Sequence, residues 1–581
     1  MHTQSLLPQT KTKRPMKRSA RTPNTTSRTN RPENMSRRLV KSMPKPRVQG
    51  VEPAVSAEQL AKSSFLVGHA SKRMLAFNAI MATVYFCFIT FAFRPGNHVL
   101  FYFLIVGEIF HLIQILGYCM TVWDGTIRAA FDPDFTPPVD IFITVCGEPV
   151  EIVAETVKAA LAMDYKDFNV YILNDGLVAK KDNWAEIDAM ANSLGIMSIT
   201  RTTPGGAKAG NINHGLSVTQ NPYFVIFDAD MVPYPSFLKE TMGYFQDPKM
   251  GFVQTPQYYK NHALNRVTDA AASQQALFFG PIMSGKNRYN AAFMCGSNMV
   301  LSREAILGAG GMCEFNIAED FLTSLFVHEN GWNSVYLPKL LVEGLSPEDF
   351  LSYYKQQFRW ARGSLEVIFK YNPLLRRGLT WAQRIQYLVS PSYFLSGLVV
   401  VYDAILPLIF LFTGITAVHT TSMSLAFIFV PYIFLTFLTL QLTSNYSLTY
   451  QAMAFSLSSF FLQLRAIYAV LTQQKTAFSV TSKKKLEGNF LYLTTPHILY
   501  VIVALVGFSV AILRHGLSAS LFANLAWVAI NIVLFMPFII AASPEHLFKR
   551  FNLSRLFKRF KNVRMATLLK PEVPQETSAE V

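Results

Sequence analysis

The chain is expected to fold as an α/β domain with a mainly parallel sheet, joined to a helical bundle of about six membrane spans with interfacial helices. Three observations carry that expectation. Half of the 581 residues are hydrophobic and only 15% are charged, a balance suited to a protein partly dissolved in lipid. Two apolar stretches of membrane length precede residue 123, and more follow residue 387. Between them, short apolar runs alternate with amphipathic stretches, the texture of strands and crossover helices.

The first element is a tail, residues 1–73, rich in Arg, Lys, Pro, Ser and Thr up to residue 53 and expected to be disordered. It has no apolar core near its start, so it is not a cleavable secretory signal. Two spans are expected within 74–122, at Met74–Phe93 and Val99–Val122, and the second contains Glu108 and His111. These two polar residues would face either a helix partner or a conduit. The soluble domain occupies 135–347. Its strands are read at 139–146, 168–173 and 223–227, with helices at 151–163, 183–194 and 209–218. In such sheets ligands bind beyond the carboxyl ends of the strands.

Interfacial helices are expected at 348–386. Spans follow near 388–415, 423–443, 491–513 and 519–541, within a membrane region 387–541. The segment 449–472 holds Gln451, Gln463 and Arg465 and reads as interfacial. Six spans then place both basic tails and Lys483-Lys-Lys485 on the side of the soluble domain, which the positive-inside rule makes cytoplasmic. Residues 542–581 begin with a basic amphipathic pattern suited to a membrane surface and end in a disordered tail. The net charge of +16 lies mainly in the two tails, pointing to anionic lipid as a partner; no base-reading fold supports nucleic acid. The five cysteines lack CxxC spacing, so neither zinc nor a disulfide framework is expected, and buried reduced thiols are.

The residues that carry chemistry cluster between 148 and 360. Asp228 and Asp230 form a hard-oxygen pair at a strand end, a site for Mg²⁺ or Mn²⁺ beneath a diphosphate, or else an ordinary strand cap. Asp175, in Asn174-Asp175-Gly176, can meet a nucleotide base or ribose, or close an Asx turn. Lys208 follows Gly205-Gly206 at a helix start and can meet phosphate, or stand as a surface lysine. Glu319-Asp320 opens a helix. Of the two, Asp320 is the choice for the base that accepts a proton from a sugar hydroxyl. Gln356, Arg359 and Trp360 recur at i, i+3, i+4 on one helix face, where the indole offers a flat surface to a sugar ring. Aromatic anchors on an interfacial helix would look the same.

Taken in order, Asp175, Asp228-Ala-Asp230, Asp320 and Gln356-Gln-Phe-Arg359-Trp360 resemble the processive family 2 glycosyltransferases, and most closely the catalytic subunit of bacterial cellulose synthase. The resemblance spans roughly residues 74–541. It implies a GT-A (Rossmann-like) domain that inverts the anomeric centre of a UDP-sugar and feeds a polymer into a membrane channel. It assigns Asp175 to uridine, Asp228 and Asp230 to UDP and metal, Asp320 to the base, and Gln356, Arg359 and Trp360 to the acceptor end. Glu319 joins the substrate-binding set. Val253-Gln254-Thr-Pro-Gln257 and Cys295-Gly-Ser297-Asn298 resemble segments lining the donor and acceptor pocket. Phe478-Ser-Val480-Thr481-Ser-Lys483 matches the FxVTxK pattern of a loop, here 478–485, that closes over UDP.

Three departures stand out. Val145-Cys-Gly-Glu148 replaces T-Y-N-E, so the aromatic near uracil is missing, although Glu148 remains for the nucleotide. Ala318 stands where relatives often have Thr. A C-terminal cyclic-di-GMP receptor domain, common in that family, is not expected after residue 541. The implied product is a cellulose-like β-glucan moved across the plasma (bacterial inner) membrane, with periplasmic or regulatory subunits as possible partners. A β-1,3- or mixed-linkage glucan synthase is the nearest alternative. Chitin-type, hyaluronan-type and poly-N-acetylglucosamine synthases are further off, and a non-catalytic transporter or scaffold is the most distant.

Overall fold

Two long apolar helices lead into the α/β domain in the computed structural model, which describes residues 67–68, 70–419, 422–474 and 486–544. The tails and the 478–485 loop, with Phe478, Val480, Thr481 and Lys483, lie outside the described residues. All described residues fall within one compact unit. Helix α1 (Lys72–Cys87) is prolonged by a π turn to Ala92, and α2 spans His98–Thr121. Both start at side-chain caps, from Ser71 and Asn97, that satisfy helix-start amides.

The expected strands are present as β1 (Val139–Val145), β2 (Phe168–Asn174) and β4 (Tyr223–Asp228). Helices α3 (Val150–Leu161), α4 (Trp184–Ser193) and α5 (Ala207–Val218) connect them. Four short strands complete the sheet: β3 (Met197–Thr200), β5 (Met250–Gln254), β6 (Met299–Ser302) and β7 (Asn333–Tyr336). Their order is β7-β5-β6-β4-β1-β2-β3. The sheet is mixed: β6 runs antiparallel between β4 and β5, and the other pairs are parallel.

Strand β1 is buried along its whole length, as a central strand covered on both faces must be. Its one ionisable residue, Asp140, is paired with Arg303 at 3.0 Å and Asn221 at 2.8 Å. Parallel register sets Val145 beside Asn174 and Thr144 beside Asp228. The carboxyl ends of β1, β2 and β4 therefore align, and Glu148, Asp175, Asp228 and Asp230 all leave the sheet at one edge.

After α6 (Arg266–Leu277), α7 (Glu319–Glu329) and α8 (Phe350–Tyr371), the membrane region resumes. It comprises α9 (Trp381–Ser392), α10 (Ser396–Thr413), α11 (Ser422–Thr443), α12 (Tyr450–Ser458), α13 (Phe460–Leu471), α14 (Thr495–His515) and α15 (Ala519–Ala542). Among the described residues six stretches are long and apolar enough to span a bilayer, with α9 and α10 counted as one run, Trp381–Thr413. That run starts earlier than the span expected at 388–415. Helices α12 and α13 meet at a 40° bend and qualify as a span only if taken together. The five cysteines are all unpaired, but only Cys119 and Cys313 are buried; Cys87 is exposed because it lies on the outer face of α1.

The soluble domain is bolted to the membrane helices by polar contacts. Tyr289 Oη donates to the Met120 carbonyl at 2.9 Å, while between α9 and α2 Gln386 Nε2 donates to Thr121 Oγ1 at 3.0 Å. Lys286, buried without a carboxylate contact, donates to Gln386 Oε1 at 2.9 Å. On the other flank Gln274 Nε2 donates to Ser456 Oγ at 2.9 Å.

Candidate active site

Asp175 leaves β2 with its carboxylate buried against Arg201, which meets it twice, at 2.5 Å from Nε and 2.8 Å from Nη2. The same guanidinium donates to the carbonyls of Gly205 at 2.5 Å and Ala207 at 2.9 Å. Arg201 thus ties the Asp175 turn to the loop that starts α5. The Asx turn here belongs to Asn174, whose Oδ1 accepts from Gly176 N at 2.9 Å. Nearby, Glu148 Oε2 accepts from Cys146 N at 2.6 Å, closing the turn after β1.

Lys208, in the first turn of α5, is not a surface lysine: its side chain is 15% exposed. It forms an ion pair with Asp228 and donates to the Gly296 carbonyl at 2.8 Å. Burial would lower its pKa, yet Asp228, Glu319 and Asp320 together raise it. Gly296 has φ +81°, and a Cβ there would sit 3.2 Å from Asp320 Oδ2 and 3.7 Å from Lys208 Nζ. Backbone only a glycine adopts readily thus lets two charged groups close around the loop.

Asp320 stands in the first turn of α7, where its Oδ1 accepts from Phe321 N at 2.7 Å. Burial, and then the neighbouring Glu319 charge, push its pKa up to about 7. Glu319 is also raised by burial, against the opposing pull of Lys208 and Arg359. Asp228, Lys208, Glu319, Asp320 and Arg359 therefore occupy one electrostatic neighbourhood.

Asp230 is buried, with Oδ2 accepting from Leu345 N at 3.2 Å. Burial, and then the charges of Asp230 and Asp228, raise the pKa of Tyr259, which lies near Gln356 of α8. Among the described residues no group of three or more His, Cys, Asp or Glu side chains is arranged to hold a metal. Asp228, which also pairs with Lys208, and buried Asp230 offer hard oxygen ligands of the type that take Mg²⁺ or Mn²⁺ alongside phosphate oxygens and water.

Gln254 and Ser297 are both fully buried, and neither reaches the cleft. Gln254 donates to the Ser297 carbonyl and accepts from Cys295 N, each at 2.8 Å. Ser297 Oγ accepts from Asp228 N at 2.8 Å. These two residues brace the Cys295–Asn298 turn because the inserted strand β6 starts there and needs its flanking amides satisfied.

On helix α8, Gln356, Arg359 and Trp360 are all partly exposed, and the Arg359 charge acts on Glu319. The chain flanking the 478–485 loop is tied to the same helix. Arg362 Nη2 donates to the Gln474 carbonyl, and Asp349 Oδ2 accepts from Leu486 N at 3.2 Å. Arg201, Gly296 and Arg362 were not singled out from the sequence. Arg201 follows a four-residue strand that alternation does not reveal, and its role appears only through its contacts.

Residues 137–363, which hold this sheet edge, match the family described as Glycosyltransferase like family 2. Residues 309–489 match the family described as Cellulose synthase. The chain is 31% identical over 460 residues to the cellulose synthase catalytic subunit (UDP-forming) of Pseudomonas fluorescens (strain SBW25), covering 74% of this chain and 61% of that one. It is 30% identical over 441 residues to the cellulose synthase 1 catalytic subunit (UDP-forming) of Komagataeibacter xylinus, covering 73% and 57%. Cellulose synthase 2 of Novacetimonas hansenii is 32% identical over 455 residues, covering 74% and 28%. The chain spans less than two thirds of the length of each of these relatives. A mannosyltransferase structure from Pyrobaculum calidifontis overlaps 64% of this chain and 99% of its own at TM-score 0.45 and 14% identity, too loosely to bear on the chemistry.

Proposed function

We propose that the protein is a processive inverting glycosyltransferase that polymerises a cellulose-like β-glucan from UDP-glucose and passes it across the plasma membrane. The observation that carries this reading is the convergence of Asp320 and Lys208 on Gly296, with Asp228 on the same ammonium. In the reaction, Asp320 takes the proton of an acceptor hydroxyl as that oxygen bonds to the anomeric carbon. The bond from that carbon to the diphosphate oxygen breaks on the opposite face, and UDP leaves. A carboxylate with pKa near 7 is suited to that work at neutral pH. Lys208 meets charge developing on the diphosphate, and such preorganised electrostatics carry much of the acceleration.

Asp228 and Asp230 would hold Mg²⁺ or Mn²⁺, which when bound neutralises charge on the diphosphate. Asp175 and Glu148 serve the nucleoside, while Gln356, Arg359 and Trp360 hold the acceptor sugar. Gln254 and Ser297 act by shaping the pocket wall, and Glu319 by its charge beside Asp320. Phe478, Val480, Thr481 and Lys483, outside the described residues, are assigned to UDP by their match to the FxVTxK pattern alone. The domain and both termini lie in the cytoplasm, with 387–541 forming the conduit. Cellulose synthase relatives over most of this chain support the glucan, and six apolar stretches support the conduit. Calorimetric titration of the purified chain with UDP, with and without Mg²⁺, tests the reading. Metal-dependent binding is expected, and no binding in either condition contradicts it.

A further inference from the structure

Helix α9 is amphipathic in the inverse sense for a helix in water. Its polar Gln383 and Gln386 are buried, whereas Trp381 is 68% exposed and Ile385 is exposed beside it. The preceding turn repeats the pattern, with Leu374 exposed and Leu375 80% exposed. A contiguous apolar face of this kind marks an interaction surface. Length says what covers it. The apolar run Trp381–Thr413 has 33 residues. At 1.5 Å per residue that is about 50 Å, well beyond a hydrocarbon core of about 30 Å. Its first turns therefore emerge among lipid headgroups, where Trp and Arg are at home.

Charge then selects the lipid. Exposed Lys370 and Arg377 flank the two leucines, and the Arg384 guanidinium lies 4.7 Å over the Trp381 ring. Among the described residues none of these three cations forms an ion pair, whereas their neighbour Arg376 is already paired with Glu329 at 2.7 Å. We propose that residues 369–385 form a seat for anionic phospholipid. Leu374, Leu375 and Trp381 enter the boundary between headgroups and acyl chains, and Lys370, Arg377 and Arg384 meet the headgroup phosphate. Basic residues at such a depth attract anionic lipid strongly. The seat follows directly on α8 in the chain. This inference rests on the membrane reading of the helices and not on glycosyl transfer.

The test uses the full chain in nanodiscs of phosphatidylcholine with roughly a third phosphatidylglycerol, one lipid or the other carrying brominated chains. Fluorescence of Trp381 is isolated as the difference between the wild type and Trp381→Phe. Brominated phosphatidylglycerol is expected to quench it at least about twofold more than brominated phosphatidylcholine. The double variant Arg377→Gln/Arg384→Gln should equalise the two. Equal quenching in the wild type overturns the anionic preference, and no quenching by either lipid overturns the seat altogether. Preferential quenching in discs that turn over no UDP-sugar would uphold the seat and count against the proposed enzyme instead.

Discussion

Gly363 on α8 lies so close to Ala318 that a Cβ added to the glycine would stand 2.5 Å from the Ala318 Cβ. That contact sets the spacing between the helix bearing Gln356, Arg359 and Trp360 and the residue just before Glu319-Asp320. Gly363→Val must therefore push the two helices apart, and a displacement of about 1 Å at reacting groups can cost about 100-fold in rate. Polymer formation is expected to fall by about that factor while UDP affinity stays within about threefold. The check is kcat from product radioactivity beside a UDP titration.

Asp320→Asn removes the proposed base and keeps its shape. Polymer synthesis should fall by about 10²–10⁴-fold with UDP binding preserved. The working form is the deprotonated carboxylate, and its pKa stands near 7. Wild-type kcat/KM should therefore rise with pH through about 7 and level off above it. A flat profile between pH 6 and pH 8 would remove the assignment.

Arg201 grips Asp175 and two carbonyls at once. Lysine keeps the charge but lacks the planar fork needed for these contacts. Arg201→Lys should raise KM for the nucleotide sugar by about tenfold, since one charge-assisted hydrogen bond is worth about 1.5–3 kcal/mol, with a smaller change in kcat. An equal loss in kcat with KM unchanged would move Arg201 out of the donor site.

Lys286 tests the bolt between domain and membrane. Burial lowers its pKa to about 7, well below the usual value of an unfolded lysine. From about pH 7 to pH 10 the unfolded chain then binds more protons at this residue, so stability should rise with pH across that window. Lys286→Met should abolish that rise, read as the melting temperature of the detergent-solubilised chain at pH 7 and pH 9.

Long, strongly patterned elements were legible without coordinates. The apolar runs ending at Cys146, Leu173 and Phe227 announced three strands, and register alone then carried Asp175, Asp228 and Asp230 to one edge. Strands β3, β5, β6 and β7 escaped notice because four or five residues show too little alternation, and β6 also reverses direction. The acidic residues of the site could be named from type and spacing. Their braces could not: Arg201, Gly296 and Gly363 matter through what stands opposite them across the fold, which no local pattern encodes. Gln254 and Ser297 were expected at the pocket surface and instead lie wholly inside its wall, since the start of β6 needs partners for its amides.

The central claim is that Asp175, Asp228, Asp230, Asp320 and Trp360 serve one polymerising site. Purified chain incubated with radiolabelled UDP-glucose and Mg²⁺, followed by digestion of the product with linkage-specific glycanases, tests it most directly. The account predicts a high-molecular-weight product that is released by a β-1,4-glucanase and absent with Asp320→Asn. UDP-glucose left intact by a wild-type chain that binds UDP, or a product formed equally by Asp320→Asn, would contradict it.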